Sequence, residues 1–431
     1  MSPPACPADS VDLQTLVTAE VWFDGTDSGE PVLAGQLTRR PSRSGDQLYF
    51  EYSPIWLGAD GAFAFDETLP LVGGPHLMSS ADGAHALAPA FSDYSPDRWG
   101  TVLMDRLQTS QARATGRPVR NLRTWDYLLD VNDAGRMGAL RMRDKGTGRW
   151  LSDTPQAAPP MASLVQLEGV ARAVDAGRDL RADEEVCLRS LVTSGSSLGG
   201  ARPKAGFADE DGNLWLAKFP GANDSYDVSR WEYITWKLAS MAGIDIPQAR
   251  LLRLSDRGST FAVRRFDRDE HGRIHYASAW TLLSARRDQA YSYSNIACAI
   301  EQFGEGGRIE ADLEQLFRRV GFNMLVANRD DHLRNHGFLR YGNGWSLSPA
   351  FDVNPNPHKN VHVLGVAGDD PGAGTAQLVA DSRAYRLRRD EAERIIEEVR
   401  GAVAGWRDVA RRAGAPQFEL DMMAPVIDSK R

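Results

Sequence analysis

Cysteine is scarce in this chain of 431 residues: Cys6, Cys187 and Cys298 lie far apart, are odd in number and form no Cys-x-x-Cys pair. That argues against a disulfide framework and a cysteine-built zinc site, and it predicts a reducing, cytoplasmic setting. Long apolar runs are missing too, so no segment predicts a membrane span. The opening Met-Ser-Pro-Pro-Ala-Cys-Pro-Ala-Asp lacks the basic-then-apolar order of a secretory leader and predicts a short disordered tail over 1–16. Positive charge is not in excess. The net charge of −8 argues against a surface that binds nucleic acid over its whole extent. One local basic cluster, Arg106, Arg113, Arg117, Arg120 and Arg123, fits a solvated face better than a phosphate-contacting patch. What remains is ordinary globular composition, 42% hydrophobic and 25% charged, in a chain long enough for two or three domains.

The patterning changes along the chain. Val17–Phe23 and Gln47–Tyr52 read as strands, the first ending in the turn signal Asp24-Gly25. Ser95-Pro96-Asp97 predicts a helix start with Pro at its first position, followed by Trp99, Val102, Leu103 and Leu107 at helical intervals. A Pro/Gly/Thr-rich stretch over 144–162 reads as a linker, and 163–192 as largely helical. A glycine/serine loop, Thr193 to Lys204, then leads into an alternating strand, Leu214–Phe219. Ser229 with Glu232 predicts a capping box for a helix whose apolar face is Trp231, Ile234, Leu238 and Ala242, with Gly243 and Pro247 as its stop. Phe261–Asp267 reads as a strand, and helices are expected over 295–303, 311–328 and 390–411. The expected division is therefore a β-rich region over 17–150, a mixed region with the loop over 151–272, and a helical region over 273–425.

The most informative stretch is Asn328-Arg-Asp-Asp-His-Leu-Arg-Asn335, followed by Ser348-Pro-Ala-Phe-Asp352. It collects the residue types that phosphoryl transfer from ATP requires: an Asp to orient and deprotonate a hydroxyl, and an Asn and an Asp to hold Mg²⁺. Leu316, Val320, Met324 and Leu325 form an apolar helix face that would deliver Asp330 into a loop. Asp331 competes with Asp330 for the base role, or is only a solvated neighbour. His332 is expected to fix the loop more than to act as a base. Upstream, the Gly/Ser loop is neither a Walker loop nor a dinucleotide fingerprint. On its own it is an ordinary surface loop. Lys218, on the first strand after it, is a candidate for ATP phosphates, and Lys204 is a second. Glu232 could pair with a lysine, although capping alone accounts for it. His332, His336, His358 and His362 offer a metal-hydrolase alternative, but no His-Glu-x-x-His is present.

These pieces run in the order found in the HipA-like serine/threonine kinases, the toxin halves of bacterial HipBA-type toxin–antitoxin pairs, and the chain resembles that family. Ser197-Leu-Gly-Gly-Ala-Arg-Pro-Lys204 resembles its Ser-x-x-Gly-Ala-x-x-Lys loop, and Ala217-Lys218-Phe-Pro its ATP-lysine strand. Val263-Arg264-Arg-Phe266-Asp-Arg resembles the hinge that receives adenine. Asp330-Asp-His332-Leu-Arg-Asn335 and Leu347-Ser-Pro-Ala-Phe-Asp352 resemble the catalytic and metal motifs. The resemblance implies a two-lobed, protein-kinase-like α/β (α+β) fold: a β-rich N-terminal region and small lobe, then a helical C-terminal lobe. It implies Asp330 as base with His332 beside it, Asn335 and Asp352 as Mg²⁺ ligands, and Lys218 on the ATP phosphates. Ser197, Gly199, Gly200, Ala201 and Lys204 would form the nucleotide loop, with Arg264 and Phe266 at the hinge. Arg264 stands where the family commonly has Glu. Autophosphorylation would fall on Ser197, with Ser196 and Ser194 as neighbours, and added charge there would repel ATP. Implied partners are a HipB-like DNA-binding antitoxin, through which DNA is met indirectly, and a protein substrate of the aminoacyl-tRNA synthetase kind. A small-molecule kinase and a non-catalytic antitoxin co-repressor are the alternatives.

Overall fold

The computed structural model describes residues 16–25, 29–42, 45–79, 87–154, 158–195 and 199–430. Ser196, Ser197 and nearly all of the expected N-terminal tail lie outside the described residues. The chain forms two compact units, one of residues 1–210 with 271–273 and one of residues 211–270 with 274–431. No described helix is long and apolar enough to cross a membrane.

The first unit is built on an antiparallel sheet. Its strands β1 (Thr18–Phe23), β2 (Val32–Ser42), β3 (Gly45–Tyr52), β4 (His76–Ser79) and β5 (Leu140–Arg143) are ordered β4-β3-β2-β1-β5. Alternation along β3 turns Leu48, Phe50 and Tyr52 inward, as the two-residue strand period requires. Phe50 packs against Tyr52, Phe65 and Phe91 in the core. Helix α1 (Arg98–Thr115) starts two residues later than expected. Asp97 is its cap, accepting the Arg98 N–H at 2.8 Å, so Pro96 precedes the helix instead of opening it. It ends at Gly116, whose φ of 63° is the left-handed conformation a helix stop favours. Helices α2 (Leu164–Asp175) and α3 (Ala182–Gly195) follow, then β6 (Lys204–Ala208). The basic cluster is spread over separate carboxylates: Arg106 and Arg113 face Asp179, Arg120 forks onto Asp126, and Arg123 reaches Asp46.

In the second unit, β7 (Leu214–Lys218) pairs antiparallel with β9 (Gly258–Arg264), which pairs with β8 (Ala249–Ser255). Helix α4 (Val228–Met241) lies between β7 and β8 in sequence and buries Trp231, Ile234 and Leu238. A second antiparallel sheet joins β10 (Tyr276–Ser278), β11 (Gly337–Tyr341) and β12 (Gly344–Leu347). Helices α5 (Tyr293–Phe303), α6 (Ile309–Leu325), α7 (Arg389–Ala404), α8 (Trp406–Arg412) and α9 (Gln417–Ile427) complete it. Leu316, Val320, Met324 and Leu325 of α6 are all buried, as their spacing predicted. At the start of α6, Asp312 accepts the Leu347 N–H at 2.9 Å and the Ser346 hydroxyl at 3.2 Å. The helix is thereby tied to the strand that leads toward Asp352.

Candidate active site

Lys218 ends β7, and its Nζ lies between two carboxylates, 2.5 Å from Glu232 Oε1 and 2.8 Å from Asp352 Oδ1. The expected capping box is not how α4 begins. Asp227 is the cap, accepting the Arg230 N–H at 3.0 Å while its other oxygen takes the Ser259 N–H and hydroxyl. Ser229 therefore sits inside the first turn and donates its hydroxyl to the Lys218 carbonyl. Because Asp227 does the capping, the Glu232 carboxylate is released to face Lys218. Burial alone would depress the lysine, but the Asp352 and Glu232 charges more than offset it and hold the ammonium well above its usual range.

Asp352 lies beyond the end of β12, with a left-handed φ of 55°, and is not itself on the strand. Such a backbone is uncommon for a residue with a Cβ. It aims the carboxylate at Lys218 from a segment that also brings Asn354 Nδ2 to 3.5 Å from the same oxygen.

Helix α6 ends at Leu325, earlier than expected, and Ala327 turns the chain with a φ of 58°. The two aspartates that follow part ways. Asp330 is exposed, with 61% of its side chain accessible, and its carboxylate is ion-paired with Lys359. Asp331 is buried and is no solvated neighbour. It accepts from Tyr293 Oη at 2.6 Å, Asn323 Nδ2 at 2.8 Å and His336 Nε2 at 2.8 Å. Burial raises its pKa, yet His336 and the Tyr293 hydroxyl outweigh this and hold it below the ordinary carboxylate range. A carboxylate so fully engaged anchors the loop, and the accessible Asp330 is the one suited to meet a substrate hydroxyl. The anchoring histidine is His336; His332 is exposed and caps the short turn Leu333–Asn335.

Asn335 is half-buried, with its N–H donating to the His332 carbonyl. With Asp331, His336 and Arg319 it lines a small cavity behind the loop. Arg319 donates to the Ser348 carbonyl at 2.7 Å and so ties α6 to the segment before Asp352. At the hinge, Phe266 packs against Phe351 and Tyr276. The Arg264 guanidinium donates to Asn213 Oδ1 at 2.7 Å, and the Arg264 backbone N–H donates to the Gln248 carbonyl.

The loop residues belong to the first unit. Gly200 has a φ of 101° and donates its N–H to Asp97 at 2.7 Å. Lys204 is buried, with its ammonium on the Gly199 carbonyl, and Ala201 is exposed. Ser194 is buried within α3, its hydroxyl donating to the Ser190 carbonyl at 2.7 Å. It is thus a helix residue, not the loop residue expected.

Several residues escaped sequence reasoning: Tyr293, Asn323 and Arg319 around Asp331, and Lys359 on Asp330, while His336 was considered only as a metal ligand. Asn323 and Arg319 carried a usable signal, polar residues inside the buried stretch of a helix. Lys359 carried none, lying in a proline-flanked coil.

Residues 196–406 match the HipA-like C-terminal domain. A Sinorhizobium fredii protein named "Putative kinase Y4dM" is 28% identical over 246 residues, 52% of this chain and 57% of its own length. The chain thus spans well under two thirds of that relative. Another from the same organism, "Putative kinase Y4mE", is 26% identical over 381 residues, 79% of this chain and 77% of its own. Among solved structures, HipA of the Shewanella oneidensis MR-1 HipA–HipB–operator DNA complex superposes with a TM-score of 0.61 over 95% of both chains at 15% identity. That likeness establishes the mixed α/β, two-lobed fold expected from the motifs. The chain therefore carries a HipA-like C-terminal domain over residues 196–406 and shares the fold of HipA.

Proposed function

We propose that this protein is an ATP- and Mg²⁺-dependent kinase that phosphorylates a serine or threonine hydroxyl on a protein. The observation that carries the reading is the pairing of Lys218 with both Glu232 and Asp352, alongside an accessible Asp330 on a loop whose neighbour Asp331 is locked in place. Asp330 takes the proton of the acceptor hydroxyl. Lys218, held charged, meets the ATP phosphates, and Glu232 fixes its position. Asp352 and Asn335 offer a carboxylate and an amide oxygen, the hard donors that Mg²⁺ prefers. Bound there, the ion would neutralise charge on the phosphates. Asp331, through Tyr293, Asn323 and His336, keeps the loop from moving while the proton transfers.

By family likeness, the protein acts as the toxin of a HipB-type pair, with a translation protein such as an aminoacyl-tRNA synthetase as acceptor. It also modifies its own loop at Ser197 or Ser196. The burial of Ser194 supports leaving that residue out. Labelled ATP tests the reading: wild type should incorporate phosphate into itself or into a bacterial lysate only with Mg²⁺, and Asp330→Asn should not. Absence of incorporation by the wild type sinks it. Phosphate mapped only outside residues 196–197 sinks the loop modification alone.

A further inference from the structure

Beyond the proposed set, one cation faces the base directly. The coil 356–359 is fastened to the loop 327–330 by two backbone ties and braced internally by the Asn356 side chain. The Asn356 N–H donates to the Ala327 carbonyl at 2.8 Å. Asn356 Oδ1 takes the N–H groups of His358 and Lys359 at 3.0 and 3.1 Å. The Arg329 guanidinium donates to the Lys359 carbonyl. From this braced backbone the Lys359 side chain runs to the Asp330 carboxylate, its own side chain 43% accessible. An exposed pair of this kind contributes only about 0–1 kcal/mol to stability, far less than such bracing would be needed to secure. What the bracing secures is the place of an ammonium beside a reacting carboxylate.

Transfer spreads negative charge over the oxygens of the moving phosphoryl group, and a cation aimed at it lowers the barrier. Lys218 is committed between Glu232 and Asp352 on the metal side. Lys359 stands on the base side, on a flexible stem with rotatable donors. We propose that Lys359 is a further catalytic residue: on substrate binding its ammonium leaves Asp330 for the transferring phosphoryl group, freeing the carboxylate for the acceptor hydroxyl. The acceptor oxygen then bonds to the γ-phosphorus as the bond to the bridging oxygen breaks. ADP leaves with that electron pair, the hydroxyl proton passes to Asp330, and Lys359 keeps its own proton throughout. The inference rests on the kinase reading above.

The test compares Lys359→Met and Lys359→Arg with wild type in the labelled-ATP assay, and adds lysine acylation read by mass spectrometry. Lys359→Met should lower kcat about 10²-fold with the KM for ATP within about threefold, as expected when an interaction is made only in the transition state. Lys359→Arg should recover part of the loss. In Asp330→Asn, where Lys359 has lost its carboxylate, a non-hydrolysable ATP analogue with Mg²⁺ should protect Lys359 from acylation. An active wild type whose Lys359→Met keeps or raises kcat, or in which the analogue gives no protection, overturns this inference and leaves the kinase reading standing. A wild type that transfers no phosphate overturns both.

Discussion

Glu419, in the last long helix, accepts the indole N–H of Trp231 in α4 at 2.8 Å. The same carboxylate takes the Asp227 N–H at 3.0 Å and faces Arg230 at 3.4 Å, with almost none of it exposed. One acid from α9 therefore fixes the first turn of the helix that carries Glu232.

Glu419→Ala would leave the Asp227 N–H and the Trp231 indole N–H without their acceptor, and Arg230 with Asp227 as its remaining partner at 3.0 Å. A buried donor left unsatisfied costs about 1–3 kcal/mol, and urea denaturation should show a loss of at least that size. If the proposed kinase reading holds, the KM for ATP should rise as well, because Glu232 positions Lys218. A stability loss below about 1 kcal/mol would mean α9 does not brace α4.

Asp352 invites a different comparison. A residue with a Cβ in the left-handed region costs roughly 1–2 kcal/mol, and glycine escapes that cost. Asp352→Gly should therefore be more stable than Asp352→Ala by about that amount in thermal or urea unfolding, although both lose the carboxylate. Equal stabilities would show that the left-handed backbone carries no cost at this position.

His275 sets an expected acid sensitivity. Burial, helped by the Arg340 charge, lowers its pKa to about 3, and its ring packs on Trp345 at 5.3 Å. The unfolded chain takes up this proton near pH ~6.5 while the folded protein refuses it. Stability from this group is thus complete above that pH and drains away as pH falls toward about 3. Between about pH 7.5 and 5.5 the loss should be about 1.4 kcal/mol. His275→Phe keeps a ring against Trp345 and should remove that part of the slope; an unchanged slope would assign the sensitivity elsewhere.

Much of this molecule is legible in its sequence where local signals agree. The α6 face, the β3 alternation and the Gly243 stop all follow from periodicity and backbone preference. The candidate site was legible only as a string. Asp330 and Asp331 are adjacent in sequence, yet one is exposed and one buried, and what separates them is Tyr293 and Asn323 arriving from α5 and α6. Ser229 and Asp227 competed to cap one helix with equally suitable side chains. Ser259, which takes the second Asp227 oxygen, is distant in sequence and could not enter a local reading. Lys359 depends on a fold-back held by Asn356 and Arg329, which no periodicity reveals.

Helix α6 is fastened at both ends, to Leu347 through Asp312 and to Asp331 through Asn323. It therefore works as a ruler between the two halves of the candidate site, and a ruler of this kind has no intermediate lengths. One inserted or deleted residue would rotate everything downstream by about 100° and shift it by about 1.5 Å, unseating one fastening or the other. Composition is open to drift only at its exposed start, Glu310 and Ala311, while its residue count is not.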